Sequence, residues 1–70
     1  MQTIQIRDEF IKLGQALKLS GLADTGAEAK DAIQNGKVRV NGQVETQRGK
    51  KLVPGDEFSY MGKSIVVESN

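Results

Sequence analysis

The residues of this chain best suited to chemistry are its lysines and arginines, and half of them lie in one short segment. Residues 37–51, here called the basic segment, hold five basic side chains and one acidic side chain. The segment therefore carries a net charge of +4 in a chain whose total is +1. Such side chains bind phosphate groups, which dominate the affinity of proteins for nucleic acids. The basic residues are Lys37, Arg39, Arg48, Lys50 and Lys51.

The spacing of these residues favours a phosphate-binding surface. Lys37 and Arg39 are two residues apart, so in a strand they share one face while Val38 and Val40 pack on the other. The remaining three cations, in residues 48–51, have no cap to form and no packing role that the sequence indicates. The alternative interpretation is a solvated surface, in which strand-edge lysines only discourage aggregation.

The composition argues against enzyme chemistry. The chain has neither cysteine nor histidine, which removes the commonest zinc ligands and the usual nucleophiles and general bases. Two adjacent acid pairs remain, but neighbouring side chains diverge in a helix or strand, so neither pair converges on one atom. We interpret Asp8-Glu9 as first-turn acids of a helix and Asp56-Glu57 as a turn that leads into a strand. We expect no enzyme, no metal and no cofactor.

Length and hydropathy predict one domain that covers residues 1–70. A chain of 70 residues has room for a single small core. No stretch is apolar enough to span a membrane, and the first ten residues do not form a signal sequence. We therefore expect a cytoplasmic monomer that does not contact membranes.

The first half of the chain reads as a strand followed by two helices. Residues 3–6 alternate polar and apolar side chains, which indicates a short strand. From Asp8 the apolar period lengthens to that of an amphipathic helix, which we expect to end near Ser20-Gly21. Thr25-Gly26-Ala27-Glu28 is a capping box that opens a second helix, and Asn35-Gly36 predicts its end. The apolar stripe of the first helix is Phe10, Leu13, Gly14 and Leu17, and that of the second is Ala29, Ala32 and Ile33.

The second half reads as a β-meander. Glycine recurs every six or seven residues from Gly36 to Gly62, a spacing that suits short strands joined by turns. Asn41-Gly42 is a preferred type I′ pair, which predicts a tight hairpin over residues 38–45. We expect an α+β fold in which two short helices pack against a small antiparallel sheet, in the order β-α-α-β-β-β-β. The three aromatic residues, Phe10, Phe58 and Tyr60, are predicted to lie in the core, so we expect no platform that stacks bases.

Six fragments of the chain, taken together, resemble a known family. They are Leu13-Gly14-Gln15, Leu17-Lys18-Leu19 with Leu22, Thr25-Gly26 with Ala29-Lys30, Gly36-x-Val38-x-Val40-Asn41-Gly42, Arg48-Gly49-Lys50-Lys51-Leu52 and Gly55-Asp56. The combination is similar to the RNA-binding domain of the ribosomal protein S-four family, the αL motif, and over nearly the whole chain to its small stand-alone bacterial branch, the YaaA/YbcJ-like proteins. The resemblance implies that two helices and an antiparallel sheet present a basic surface to structured RNA. The likeness to the small branch includes Leu13-Gly14-Gln15 and Arg48-Gly49-Lys50-Lys51-Leu52.

The resemblance also implies candidate contacts outside the basic segment. They are the start of the second helix, Thr25 and Gly26, and the helix residue Lys30. Lys18, near the end of the first helix, is a further candidate. The larger family commonly has Ser-Arg at the start of the second helix, whereas this chain has Thr-Gly, so its other basic residues must supply more of the binding.

We therefore expect non-catalytic binding of structured RNA, with ribosomal RNA the first candidate and transfer RNA the second. The expected role is in ribosome assembly or translation, where ribosomal particles are possible partners. The alternative hypothesis is a protein-interaction module whose basic pole docks an acidic partner.

Overall fold

Two helices lie beside a β-sheet in the computed structural model, which describes residues 2–70. The α+β class predicted from the sequence is confirmed, as is the order of the predicted elements. Two short additional strands were not predicted. In chain order the elements are β1 (Gln2–Ile6), β2 (Ile11–Lys12), α1 (Leu13–Leu19), α2 (Gly26–Gln34), β3 (Val38–Val40), β4 (Gln43–Val44), β5 (Lys51–Leu52), β6 (Glu57–Tyr60) and β7 (Lys63–Ser69).

The main sheet has five strands in the order β1-β7-β6-β3-β4. The pairs among β3, β4, β6 and β7 are antiparallel, as predicted. The sheet is nevertheless mixed, because β1 runs parallel to β7, with Ile4 opposite Val67. The sequence indicated that β1 exists but not its partner, since the two strands lie at opposite ends of the chain.

The first helix begins later than predicted. Ile11 and Lys12 pair with Leu52 and Lys51 as a separate two-stranded ladder, β2-β5, and α1 starts only at Leu13. The prediction that Asp8-Glu9 lie in the first turn of a helix is therefore wrong, because both residues precede β2 in a bend. A pairing with residues 39 and 41 positions away overrides the local helical period here.

The core lies between the helices and one face of the main sheet. The predicted buried face of α2 is confirmed. In α1, Leu13 and Leu17 are buried as predicted, whereas Gly14 is only half-buried and Ala16 is buried in addition. Phe58 is fully buried as predicted, and Tyr60 is half-buried. Phe10 is not a core residue, which corrects the prediction, because 37% of its surface is exposed. The buried residues are Ile4, Ile6, Leu13, Ala16, Leu17, Ala23, Ala29, Ala32, Ile33, Val38, Val40, Leu52, Phe58, Ile65 and Val67.

The turns lie at the positions that the sequence predicted. Asn41 and Gly42 both have positive φ, at 52° and 85°, as a type I′ hairpin requires. Gly36 closes α2 with a φ of 73°. Asp56 precedes β6, as predicted for a turn that leads into a strand. Neither α1 nor α2 is long and apolar enough to cross a membrane.

Candidate nucleic-acid interface

The loop that follows β4 is docked on the start of α1 through its backbone. The Leu13 N–H donates to the carbonyl oxygen of Lys50 at 2.8 Å, and the Gly14 N–H donates to that of Arg48 at 3.1 Å. Lys12, the N-cap residue of α1, makes no side-chain capping bond. The loop carbonyls thus satisfy two of the amides that the beginning of a helix leaves free. The loop has a structural role that the sequence did not indicate, and its basic side chains remain exposed.

A groove forms where this loop, α1 and the start of α2 meet. It has a volume of about 360 Å³ and is here called the cationic groove. Three residues predicted as RNA contacts line it, namely Lys18, Gly26 and Arg48, each from a different segment of the chain. The complete lining is Lys12, Gly14, Gln15, Lys18, Gly26, Ala29, Arg48 and Gly49.

Lys12 is the basic residue of the groove lining that sequence reasoning missed. Lys12 falls outside the apolar stripe of the longer first helix that the sequence predicts, and nothing in that pattern links it to the basic segment. The structure pairs it with Lys51 across the β2-β5 ladder. Like charges directly opposite one another repel, and α1, whose sequence is LGQALKL, contains no acidic residue to offset them. The only available signal was the charge of Lys12 itself, because its partner strand could not be recognised from two residues.

Thr25 acts as the helix cap that the capping box predicted. Its Oγ1 accepts a hydrogen bond from the Glu28 N–H at 3.1 Å. The Glu28 carboxylate reaches one residue further than in a standard capping box and accepts from the Asp24 N–H, also at 3.1 Å. Gly26 follows the cap and lines the groove, whereas Thr25 does not.

The two lysines that follow Arg48 lie beside the groove. Both are exposed. The Nζ of Lys51 lies 4.7 Å from the centroid of the Phe10 ring, a cation–π distance. Lys50 contributes its backbone carbonyl to the start of α1, as described above. These positions bring the second half of the basic segment next to Lys12 and Lys18.

The other predicted contacts are exposed but do not line the groove. Arg39 points away from the core on β3, whose neighbours Val38 and Val40 are buried, so the predicted alternation is confirmed. Lys37 precedes this strand, and Lys30 lies on α2. The structure thus gathers part of the predicted set in one place and leaves Lys30, Lys37 and Arg39 outside it.

The groove lining carries three basic side chains and no carboxylate. Across residues 2–70, no group of three or more acidic side chains is arranged to hold a metal ion. Two acidic side chains near the lining residues in sequence accept hydrogen bonds from backbone amides. The Glu28 carboxylate accepts from the Asp24 N–H, and the Glu45 carboxylate accepts from the Gln47 N–H at 3.2 Å. Exposed cations around a concave surface can bind an extended anion that contacts several of them at once. The phosphate backbone of a nucleic acid is such an anion.

Comparison with known proteins identifies the family. A family model described as the S4 domain matches residues 4–68. The Escherichia coli (strain K12) protein named "Putative RNA-binding protein YbcJ" is 44% identical over 57 residues, which cover 81% of this chain and 81% of that protein. The Bacillus subtilis (strain 168) protein named "Probable ribosome maturation protein RlbA" is 42% identical over 59 residues, which cover 84% of this chain and 83% of that protein.

The fold agrees with these matches. The solution structure of YbcJ from E. coli superposes on this chain with a TM-score of 0.75 and 39% sequence identity, covering 97% of this chain and 87% of that one. That structure is described as revealing an αL motif involved in RNA binding. The resemblance predicted from the motifs is confirmed: this chain belongs to the S4 domain family.

Proposed function

We propose that this protein binds structured RNA, without catalysing a reaction, through the cationic groove and the exposed cations around it. One observation carries the proposal. Lys12, Lys18 and Arg48 come from the end of β2, from α1 and from the loop after β4, yet they line one groove of about 360 Å³. Cations that are separate in sequence and adjacent in space fit a folded phosphate backbone.

The relatives support RNA as the ligand. The YbcJ structure is described as containing an αL motif involved in RNA binding, and the RlbA name refers to ribosome maturation. We therefore place ribosomal RNA first and transfer RNA second among the ligands. The proposed role is in ribosome assembly or translation in the cytoplasm, carried out by a monomer that can also contact ribosomal particles.

Recognition should depend on the shape of the RNA backbone more than on base sequence. The groove lining offers three basic side chains and one amide side chain, Gln15, and phosphate contacts position a protein without reading sequence. Basic side chains outside the groove add to its positive charge. Lys50 and Lys51 lie beside the groove, and Lys30, Lys37 and Arg39 would add weaker contacts or steer the approach of RNA. Thr25 supports Gly26 by fixing the start of α2.

The salt dependence of binding tests the proposal. If four or five cations contact phosphates, the logarithm of the binding constant should fall with the logarithm of salt concentration at a slope of about −3 to −4. Arg48→Ala and Lys18→Ala should each reduce the slope by roughly 0.7 to 0.9, the value for one phosphate contact. Lys63→Ala is the matched control, since Lys63 is an exposed cation at the start of β7. A slope near zero for the parent protein would contradict the proposal.

The target can be identified in cells by crosslinking and sequencing of the bound RNA. The parent should enrich a defined region of ribosomal RNA, and a variant with Arg48, Lys50 and Lys51 replaced by alanine should lose that enrichment. Equal and diffuse recovery from both proteins would argue against the loop as an RNA contact. Partners that persist after nuclease treatment would instead favour the protein-interaction hypothesis.

A further inference from the structure

A second cavity lies next to the cationic groove. It has a volume of about 560 Å³ and is here called the side pocket. Gln15 and Lys18 line both cavities, so these two α1 residues form the wall between them. The full lining of the side pocket is Gln5, Ile6, Arg7, Asp8, Phe10, Ile11, Gln15, Lys18 and Leu19.

The side pocket contains an aromatic ring that the core does not use. Phe58 is fully buried, but Phe10 keeps 37% of its surface exposed at the wall of the pocket. Lys51 holds its ammonium group 4.7 Å from the ring centroid, which ties the ring to the basic segment. Because Lys51 lies over one face of the ring and does not line the side pocket, the opposite face is the one on which a base can stack.

The rest of the lining matches the chemistry of a nucleotide. Arg7 and Lys18 can contact phosphate, and the amides of Gln5 and Gln15 can bond the edge of a base. Asp8 is the one carboxylate of the lining, and a carboxylate accepts hydrogen bonds from the amino group of a base such as cytosine. The volume lies within the range of about 300 to 1,000 Å³ that is usual for small-ligand pockets.

We propose that the side pocket receives one unpaired base of the RNA whose backbone lies in the cationic groove, with the Phe10 ring stacked on that base. The inference rests on the proposed function and specifies its ligand as paired RNA that carries an unpaired nucleotide. Lys18, which lines both cavities, contacts the phosphate where the chain turns from one into the other. Stacking on an aromatic ring tolerates any base, so this agrees with recognition that depends little on sequence.

Three RNA hairpins test this inference, each closed by a non-nucleotide linker so that the loop offers no unpaired base. The first is fully paired, the second carries a single bulged adenosine, and the third carries an abasic nucleotide at the same bulge. The abasic hairpin keeps the extra phosphate and the distorted backbone but lacks a base to stack. The parent protein should bind the adenosine-bulge hairpin about 10-fold more tightly than either of the others, within the range measured for stacking of one base.

Two substitutions of Phe10 supply the matched protein variants. Phe10→Leu keeps an apolar side chain but removes the aromatic face, and it should abolish the preference for the adenosine bulge. Phe10→Trp should retain the preference. Because the parent chain has no tryptophan, that variant also carries a single tryptophan whose fluorescence should be quenched by the adenosine-bulge hairpin and not by the abasic one. Thermal melting of both variants checks that the fold is intact.

The outcomes separate this inference from the function on which it rests. Salt-dependent binding of all three hairpins with equal affinity would overturn the side-pocket inference and leave the proposed function standing. Failure to bind any of them would contradict both. If Phe10→Leu left all RNA affinities unchanged but removed a crosslinked protein partner that survives nuclease treatment, the side pocket would be a protein contact and the inference would be overturned.

Discussion

The backbone N–H of Gly14 donates a hydrogen bond of 3.1 Å to the carbonyl oxygen of Arg48. This bond, together with the one from Leu13 to Lys50, fixes the loop that follows β4 to the start of α1. The loop backbone therefore serves the fold while the loop side chains stay exposed for a ligand. The arrangement preorganises the groove, because the Arg48 backbone is fixed to α1, whose Lys18 lines the same groove, before any RNA binds.

Gly14→Ala tests how the loop is held. Gly14 is helical, and a Cβ there would meet Arg48 at 3.6 and 3.7 Å, which is ordinary van der Waals contact. We expect the free energy of unfolding to rise by about 0.5 kcal/mol, because alanine reduces the freedom of the unfolded chain. Gly21→Ala should instead lower it by about 1 kcal/mol, because Gly21 has a φ of 83°. Urea denaturation measures both values, and a destabilised Gly14→Ala variant would show that the loop has no room for the added methyl group.

Replacement of both Lys50 and Lys51 by alanine should weaken RNA binding without disrupting the fold. We expect the salt slope to fall in magnitude by about 1.5, the contribution of two phosphate contacts. The melting temperature should stay within about 4 °C, because exposed charges add little stability. The loss of the Lys51 contact with Phe10 is offset by relief of repulsion between Lys51 and Lys12.

The matched control for this variant replaces both lysines by arginine. Arginine keeps the positive charge, so the slope of the control should equal that of the parent protein. Filter binding at several salt concentrations and a thermal melt are sufficient measurements. If the alanine variant unfolded, the lysine side chains would be part of the fold, contrary to the exposure seen here.

Local patterns predicted the elements that are stabilised by neighbours in sequence. Three features were recognisable because each depends on residues only a few positions apart in sequence. They are the cap at Thr25, the turn at Asn41-Gly42 and the buried stripe of α2. The ladder of β2 with β5 was not recognisable. Two-residue strands carry no period, and their pairing depends on contacts 39 and 41 residues apart.

The unpredicted β2-β5 ladder explains why sequence reasoning misplaced Phe10 and omitted Lys12 from the site. Because Ile11 and Lys12 form a strand, Phe10 falls outside the helical stripe and reaches the surface. The same pairing brings Lys12 next to Lys51 of the basic segment. Charge composition alone located the loop cations, but only the tertiary pairing shows which cations share a groove.

Thr25→Ala should lower stability more than it lowers RNA affinity. The substitution removes the acceptor for the Glu28 N–H, and loss of such a cap costs about 1 kcal/mol in the free energy of unfolding. Because Thr25 does not line the cationic groove, the affinity of the folded protein should fall by less than about 3-fold. Thr25→Ser, which keeps the hydroxyl, is the control for both measurements. A larger loss of affinity in the alanine variant, restored by serine, would place the hydroxyl in contact with RNA.

Asn41 and Asp56 should be energetically coupled. The Asn41 side chain donates to Asp56 at 3.1 Å and accepts from the Glu57 N–H at 3.0 Å, so it links the hairpin turn to the start of β6. Asn41→Gly keeps the positive φ but removes both bonds, and Asp56→Ala removes one bond and the link to the Val53 N–H. In a double-mutant cycle we expect a coupling of about 0.5 to 1 kcal/mol. Pairing Asn41→Gly with Asp31→Ala on α2 should give additive losses, and additive losses in the Asp56 cycle would mean that the bond contributes nothing measurable.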